Sequence, residues 1–216
     1  TPTFKKINVM SFSELYKSSP FGMGSSFFYG TIQSALFTLL AVYATSMNFT
    51  ILEISIVTFL LAVSGAVAQF PVGKISDVYD RRKVIIASTF GAAIFALITI
   101  FVSGQMYLPD GLATSKKWFY TFFILFSFCS LPMFSLILAH TNDYITKDKF
   151  VAAGAGLQFT FGLGAMSGPF LCSIFMDLVG SNGFFVFLFF FHSLIGAFGI
   201  YTVSYTHLRA HETVRN

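Results

Sequence analysis

Gly73-Lys74-Ile75-Ser76-Asp77-Val78-Tyr79-Asp80-Arg81-Arg82-Lys83 is the stretch on which the reading of this chain turns. Four cations and two carboxylates follow its leading glycine, and apolar runs at 51–72 and 84–104 enclose it. Each run matches the roughly 20 residues that a helix needs to cross a bilayer core. The stretch therefore reads as a short charged connection at a membrane surface, joining two spans.

The same pattern repeats outward in both directions. Hydrophobic residues make up 55% of the 216, only 10% are charged, and 30 are Phe. A soluble domain carries roughly a quarter charged residues, so a water-soluble fold is excluded. Six segments qualify as spans, at approximately 22–46, 51–72, 84–104, 118–140, 151–178 and 183–201. The expected fold class is an all-α membrane protein with six transmembrane helices. Residues 1–20, TPTFKKINVMSFSELYKSSP, read as a cytoplasmic linker followed by a short interfacial helix.

Charge placement orients the spans. Lys5, Lys6, Lys17, Lys74, Arg81, Arg82, Lys83, Lys147 and Lys149 fall on one side, against Lys116 and Lys117 on the other. Positive residues favour the cytoplasm, so both ends of the six-helix unit are expected there. Trp118 and Tyr120 sit at the opposite boundary, as in an aromatic belt. The net charge of +4 never forms a continuous basic face, which excludes a nucleic-acid partner. Cys129 and Cys172 each lie inside an apolar span and read as buried structural thiols; no metal site or cofactor is expected. Asn48-Phe49-Thr50 is a formal glycosylation triplet, but it lies too close to the membrane to be used. In the fifth segment, Gly164 and Gly168 stand four apart, a spacing that lets two helix backbones approach closely. Pro169 follows them and should bend the helix.

The 73–83 stretch resembles the cytoplasmic signature loop of the major facilitator superfamily, which runs Gly, three residues, Asp, two residues, Gly, Arg, then Arg or Lys. Gly73, Asp77, Arg81 and Arg82 match, and Asp80 stands where the family has Gly. Further stretches, among them 15–20, 69–73, 139–143 and 162–169, with Met176-Asp177 and Phe191-His192, are similar to the C-terminal half of the YcaD-like bacterial branch. The resemblance spans about residues 14–201. It implies one half of a twelve-helix transporter in a bacterial inner membrane, carrying a small solute by alternating access, with the N-terminal six-helix half as its missing partner. A non-transporting sensor or scaffold on the same fold is the alternative. The family picture makes the loop a conformational latch. A carboxylate such as Asp77 is favoured at a helix N-terminus by about 0.3–1 kcal/mol, and in the family that helix belongs to the other half. Arg81 would pair with an acid at the inner end of a neighbouring span, Asp143 being the best local candidate.

The superfamily's solute cavity is lined largely by the first and fourth helices of each half, with help from the second and fifth. Buried polar residues there include Gln33, Ser34, Gln69, Ser127, Ser130, Ser135 and Gln158. Gln33, Gln158 and Ser130 are the candidates to touch solute, since amides and hydroxyls donate and accept; each could equally bond between helices. His192 lies deeper, within FLFFFHSLIG, and an imidazole titrating near neutrality would permit proton coupling. The sixth helix of each half is peripheral in the family, which implies instead a packed, hydrogen-bonded histidine. No His-Glu-x-x-His pair, Gly-x-Ser-x-Gly elbow or phosphate-cradling loop is present, so no enzyme is expected. The chain opens at Thr1 rather than Met, and an upstream portion is expected. Residues 203–213, VSYTHLRAHET, resemble one translated frame of a transposase sequencing adapter; 202–216 is therefore expected to be a non-native tail.

Overall fold

The computed structural model describes residues 10–104 and 112–215, without the side chains of 112–115 and 203–215. Lys5, Lys6 and the side chains of nearly all of the expected 202–216 tail thus lie outside the described residues. The helices are α1 (Phe12–Ser18), α2 (Pro20–Ser46), α3 (Ile51–Val78), α4 (Arg81–Gly104), α5 (Leu112–Ser130), α6 (Met133–Asn142), α7 (Phe150–Val179) and α8 (Gly183–Arg215). Among the described residues there is no strand, and six spans are long and apolar enough to cross a membrane, with α5 and α6 together forming one.

Local chemistry sets the helix ends. Ser19 closes α1 and caps α2, its Oγ accepting from the Gly22 N–H at 3.3 Å, with Pro20 at the first helical position. At the opposite end Asn48 takes a positive φ of 58°, which Asn tolerates better than most residues. Thr50 and Glu53 then form a reciprocal capping box, with Thr50 N–H to Glu53 Oε2 at 2.8 Å and Glu53 N–H to Thr50 Oγ1 at 3.3 Å. The glycosylation-like triplet is therefore a turn residue and a helix cap. Lys116 Nζ, 2.6 Å from Glu53 Oε1 and 5.0 Å from the centre of the Phe49 ring, ties this turn to the start of α5.

The 73–83 connection is shorter than its sequence suggests. α3 runs on through Pro71 to Val78, leaving only Tyr79 and Asp80 between helices. Asp80 needs no left-handed backbone. Its Oδ1 accepts the Arg82 N–H at 2.9 Å and its carbonyl accepts the Val84 N–H at 3.1 Å, so it starts α4 as a cap. Asp80→Ala is expected to lower stability by about 1 kcal/mol, whereas Asp80→Gly costs only a few tenths. Thermal unfolding of both variants in the same detergent checks this order.

Six spans form one cluster. α2 lies against α7, and α4 against α8 and α5. Between α2 and α7 the glycines sit against backbone: a Cβ at Gly164 would strike the Phe27 carbonyl, one at Gly168 the Thr31 carbonyl, and one at Gly30 the Phe161 carbonyl. The close approach lets Thr31 Oγ1 reach the Gly164 carbonyl at 3.1 Å and Ser26 Oγ the Leu157 carbonyl at 2.8 Å. At the end away from the 73–83 loop, Tyr43, Phe119, Phe123, Phe184 and Phe185 form a fully buried set of stacked and edge-on rings. Such pairs contribute about 0.5–1.5 kcal/mol each beyond their buried area.

The fourth span is not one helix. It breaks at Leu131-Pro132, where the proline supplies no N–H to the Phe128 carbonyl four residues back; beside the break, the Leu131 carbonyl accepts from Tyr29 Oη at 3.2 Å. At the cation-rich end α1 docks on α7 through Leu15, Ala153 and Leu157, and on the residue before α7 through Lys149 Nζ, 2.5 Å from Glu14 Oε1. That hydrogen bond holds the Glu14 carboxyl below the usual carboxylate range, so the tie is present at neutral pH and loosens as pH falls through the lowered value. α3 and α7 leave the most apolar surface uncovered, including Phe59, Val67 and Phe70 on one and Leu163, Met166 and Phe170 on the other.

Candidate functional site

Two adjoining cavities lie on the face carried by α2, α3, α6 and α7. The larger, about 500 Å³, is walled by Gln33, Ser34 and Phe37 from α2, Gln69 from α3, Leu131, Phe134 and Ser135 at and after the break, and Gln158 and Phe161 from α7. The residues from the fourth span follow helical spacing, one face turned to the cavity. Gln33 is half-buried, while Gln69, Ser135 and Gln158 are exposed. Among the described residues none of the three amides has a hydrogen-bond partner. An unsatisfied amide within a span does not face lipid hydrocarbon, which would cost several kcal/mol per group. The concavity is thus a place for water or a polar solute, and its volume lies in the roughly 300–1,000 Å³ range of ligand sites.

The smaller cavity, about 190 Å³, shares Gln69 and Ser135 with the larger and continues to Gly73, Asp77 and Arg81. There Arg81 bridges two acids, with Nη2 3.0 Å from Asp77 Oδ1 and Nε 3.1 Å from Asp143 Oδ2. The structure thereby brings together the end of α3, the start of α4 and the residue that ends α6. The Asp77 and Asp143 side chains are 68% and 50% accessible, so water screens the pair and each contact contributes about 0–1 kcal/mol in this chain alone. Arg82 turns the other way, its Nη2 donating to Tyr144 Oη at 3.3 Å, and lies outside this cluster. A Cβ at Gly73 would meet nothing within 4 Å, so this chain alone does not account for glycine there.

Ser130 does not join Gln33 and Gln158. One residue before Leu131, it lies about 100° round the helix, and its Oγ meets His192 Nε2 at 2.9 Å. His192 is fully buried, with Nδ1 2.7 Å from the Leu188 carbonyl and its ring edge-on to Phe126. Ser130 and His192 are therefore a satisfied polar contact between α5 and α8, away from the cavity. Gln69 and Ser135, rather than the expected Gln33 and Gln158, are the residues common to both cavities. Their signal was there: Ser135 lies four residues after Leu131, and Gln69 one helical turn before Gly73. Among the described residues no three His, Cys, Asp or Glu side chains are grouped to hold a metal.

With this geometry in place, the chain belongs to the major facilitator superfamily, a family of membrane transporters rather than enzymes: the Major Facilitator Superfamily model matches residues 22–216. It is similar to the uncharacterized MFS-type transporter YfkF of Bacillus subtilis, 26% identical over 186 residues, which is 82% of this chain and 44% of that protein. It is also similar to the uncharacterized MFS-type transporter YE1530 of Yersinia enterocolitica, 24% identical over 170 residues, 79% of this chain and 41% of that protein. A shorter match, 37% identical over 65 residues, links it to the uncharacterized MFS-type transporter MJ1560 of Methanocaldococcus jannaschii, over 30% of this chain and 17% of that protein. The chain spans about two fifths of the length of the first two relatives. Six spans in that share of the length correspond to one half of the superfamily's twelve-helix fold. No solved structure matches the chain.

Proposed function

We propose that this chain is the C-terminal half of a secondary active transporter that moves a small polar solute by alternating access. The supporting observation is the convergence of Gln33, Gln69 and Gln158, from three spans, on one concavity that continues into the Asp77–Arg81–Asp143 cluster. The amides orient the solute through paired donors and acceptors. The other six-helix half closes the open side of the concavity and covers the apolar faces of α3 and α7. The ion cluster acts as the latch: desolvated against a helix N-terminus of that half it holds the gate shut, and rehydrated it lets go. A latch must differ between two states to shift their populations, and exposure to water supplies that difference.

The protein sits in a bacterial inner membrane with both ends of this half in the cytoplasm, following the basic residues at the latch end. Proton coupling, where it operates, uses a carboxylate of the other half, because no acid lies mid-span in α2 or α5–α6 and His192 is engaged with Ser130. Single cysteines at Gln33 or Gln158, in full-length protein with Cys129 and Cys172 replaced by serine, are expected to react with a membrane-impermeant maleimide from either side of proteoliposomes. Labelling restricted to one side under all conditions would overturn alternating access.

A further inference from the structure

A third cavity, about 460 Å³, lies at the cation-rich end and shares no wall with the other two. Its walls come from the end of α1, the start of α2, α4, α6 and its following turn, and α8; none come from α3 or α7. We propose that it binds the phosphate headgroup of an anionic phospholipid from the cytoplasmic leaflet.

Charge is the first argument. Lys17 and Arg82 both line the cavity, and no carboxylate is among its walls in the described residues. The Arg82 guanidinium is a wall of the cavity, 3.3 Å from Tyr144 Oη and 6.0 Å from the centre of the Phe21 ring, while Arg81 lies with Asp77 and Asp143 outside it. Hydroxyls of Tyr16, Tyr144 and Ser18 add donors that a phosphate diester accepts.

Shape is the second. Phe21 is edge-on to His140 at 5.3 Å and tilted against Phe198 at 5.9 Å, giving the cavity an apolar floor beneath its cations. A free anion has no use for that floor; a glycerol backbone and the first acyl carbons do. Position is the third. Tyr16 and Tyr201 on the rim are 57% and 64% exposed, and Ile200 beside them is 50% exposed, so the cavity opens where a lipid boundary lies. Basic pockets between spans on the cytoplasmic side suit anionic headgroups for this reason.

The test uses full-length protein in nanodiscs of phosphatidylglycerol, of phosphatidylcholine, or of both, with retained lipid counted by native mass spectrometry. Wild type is expected to keep phosphatidylglycerol in preference to phosphatidylcholine. Lys17→Gln and Arg82→Gln should each weaken retention about fivefold, and the pair on the order of 25-fold; Arg82→Lys should retain most of it. Equal unfolding temperatures in phosphatidylcholine alone establish that a variant is folded, and Lys17, exposed on α1, provides a variant that leaves the helix packing untouched. Undiminished phosphatidylglycerol retention in the double variant, or equal retention of both lipids, overturns the site. Displacement of the lipid by millimolar inorganic phosphate would identify a free-anion site and overturn the lipid assignment.

Discussion

Replacing Arg81 by alanine in the full-length protein is expected to cut the initial rate of solute flux about tenfold or more, while the amount of folded protein stays within about twofold. The two readouts separate because the contacts work in different media. In this half alone Arg81 meets two well-hydrated acids, and such pairs contribute about 0–1 kcal/mol. Folding therefore loses little. In the proposed mechanism the other half covers the same cluster in the closed transporter, and a coupling of about 1–3 kcal/mol corresponds to a 5–150-fold change in the conformational balance. Asp143→Asn should follow Arg81→Ala in direction, since it removes the acid at Nε and leaves the α3–α4 contact in place. Flux measured in proteoliposomes, normalised to protein recovered by size exclusion, gives both numbers. Wild-type flux in Arg81→Ala would eliminate the latch.

Gly164→Leu is expected to abolish recovery of monodisperse protein. Overpacking a core commonly costs about 1–3 kcal/mol because side chains give way. Here the added Cβ meets the carbonyl of Phe27 and the N–H of Thr31, which belong to a helix backbone and cannot step aside. Helix association in a bilayer depends on close packing rather than on escape from water, so separating α2 from α7 also removes the hydrogen bonds from Thr31 and Ser26. Gly162→Leu is the matched control, because a Cβ there meets nothing within 4 Å. It should be recovered as wild type. Equal recovery of both variants would mean that the α2–α7 approach is looser than described.

The features legible in the sequence were those that depend on one chain segment and its solvent. Apolar length marked the spans to within a few residues at most ends, and the Gly164–Gly168 spacing marked a close approach without saying to what. Features that depend on a partner segment were harder. Pro132 is set in an apolar run that continues on both sides, so hydropathy passes over it; the break shows only in the fold, where α5 ends at Ser130 and α6 begins at Met133. α3 was expected to stop at 72, because lysine and aspartate end a hydropathy window, yet a helix can leave the membrane and keep its turns through Val78. Asp80 looked like a defect in a pattern that has glycine, although an aspartate can begin a helix as well as a glycine can permit a turn. Ser130 and Ser135 differ in role because five residues amount to about 500°, which faces them in different directions. The proximity of Arg81 to Asp143 was inferable from likeness of sequence alone; the distance between them required the fold.

The ring of buried aromatics around Tyr43 has a mechanical consequence. Interlocked rings at close-packed density yield little to small forces, whereas the opposite end is held by screened ions, two cavities and a span interrupted at Pro132. We infer that the Tyr43 end is the stiffer of the two. In the proposed mechanism a push delivered at the glutamines would therefore be directed toward the Arg81 end, as with a reed clamped at its base. Amide exchange should record this as protection that declines along each span from the Tyr43 end to the Arg81 end.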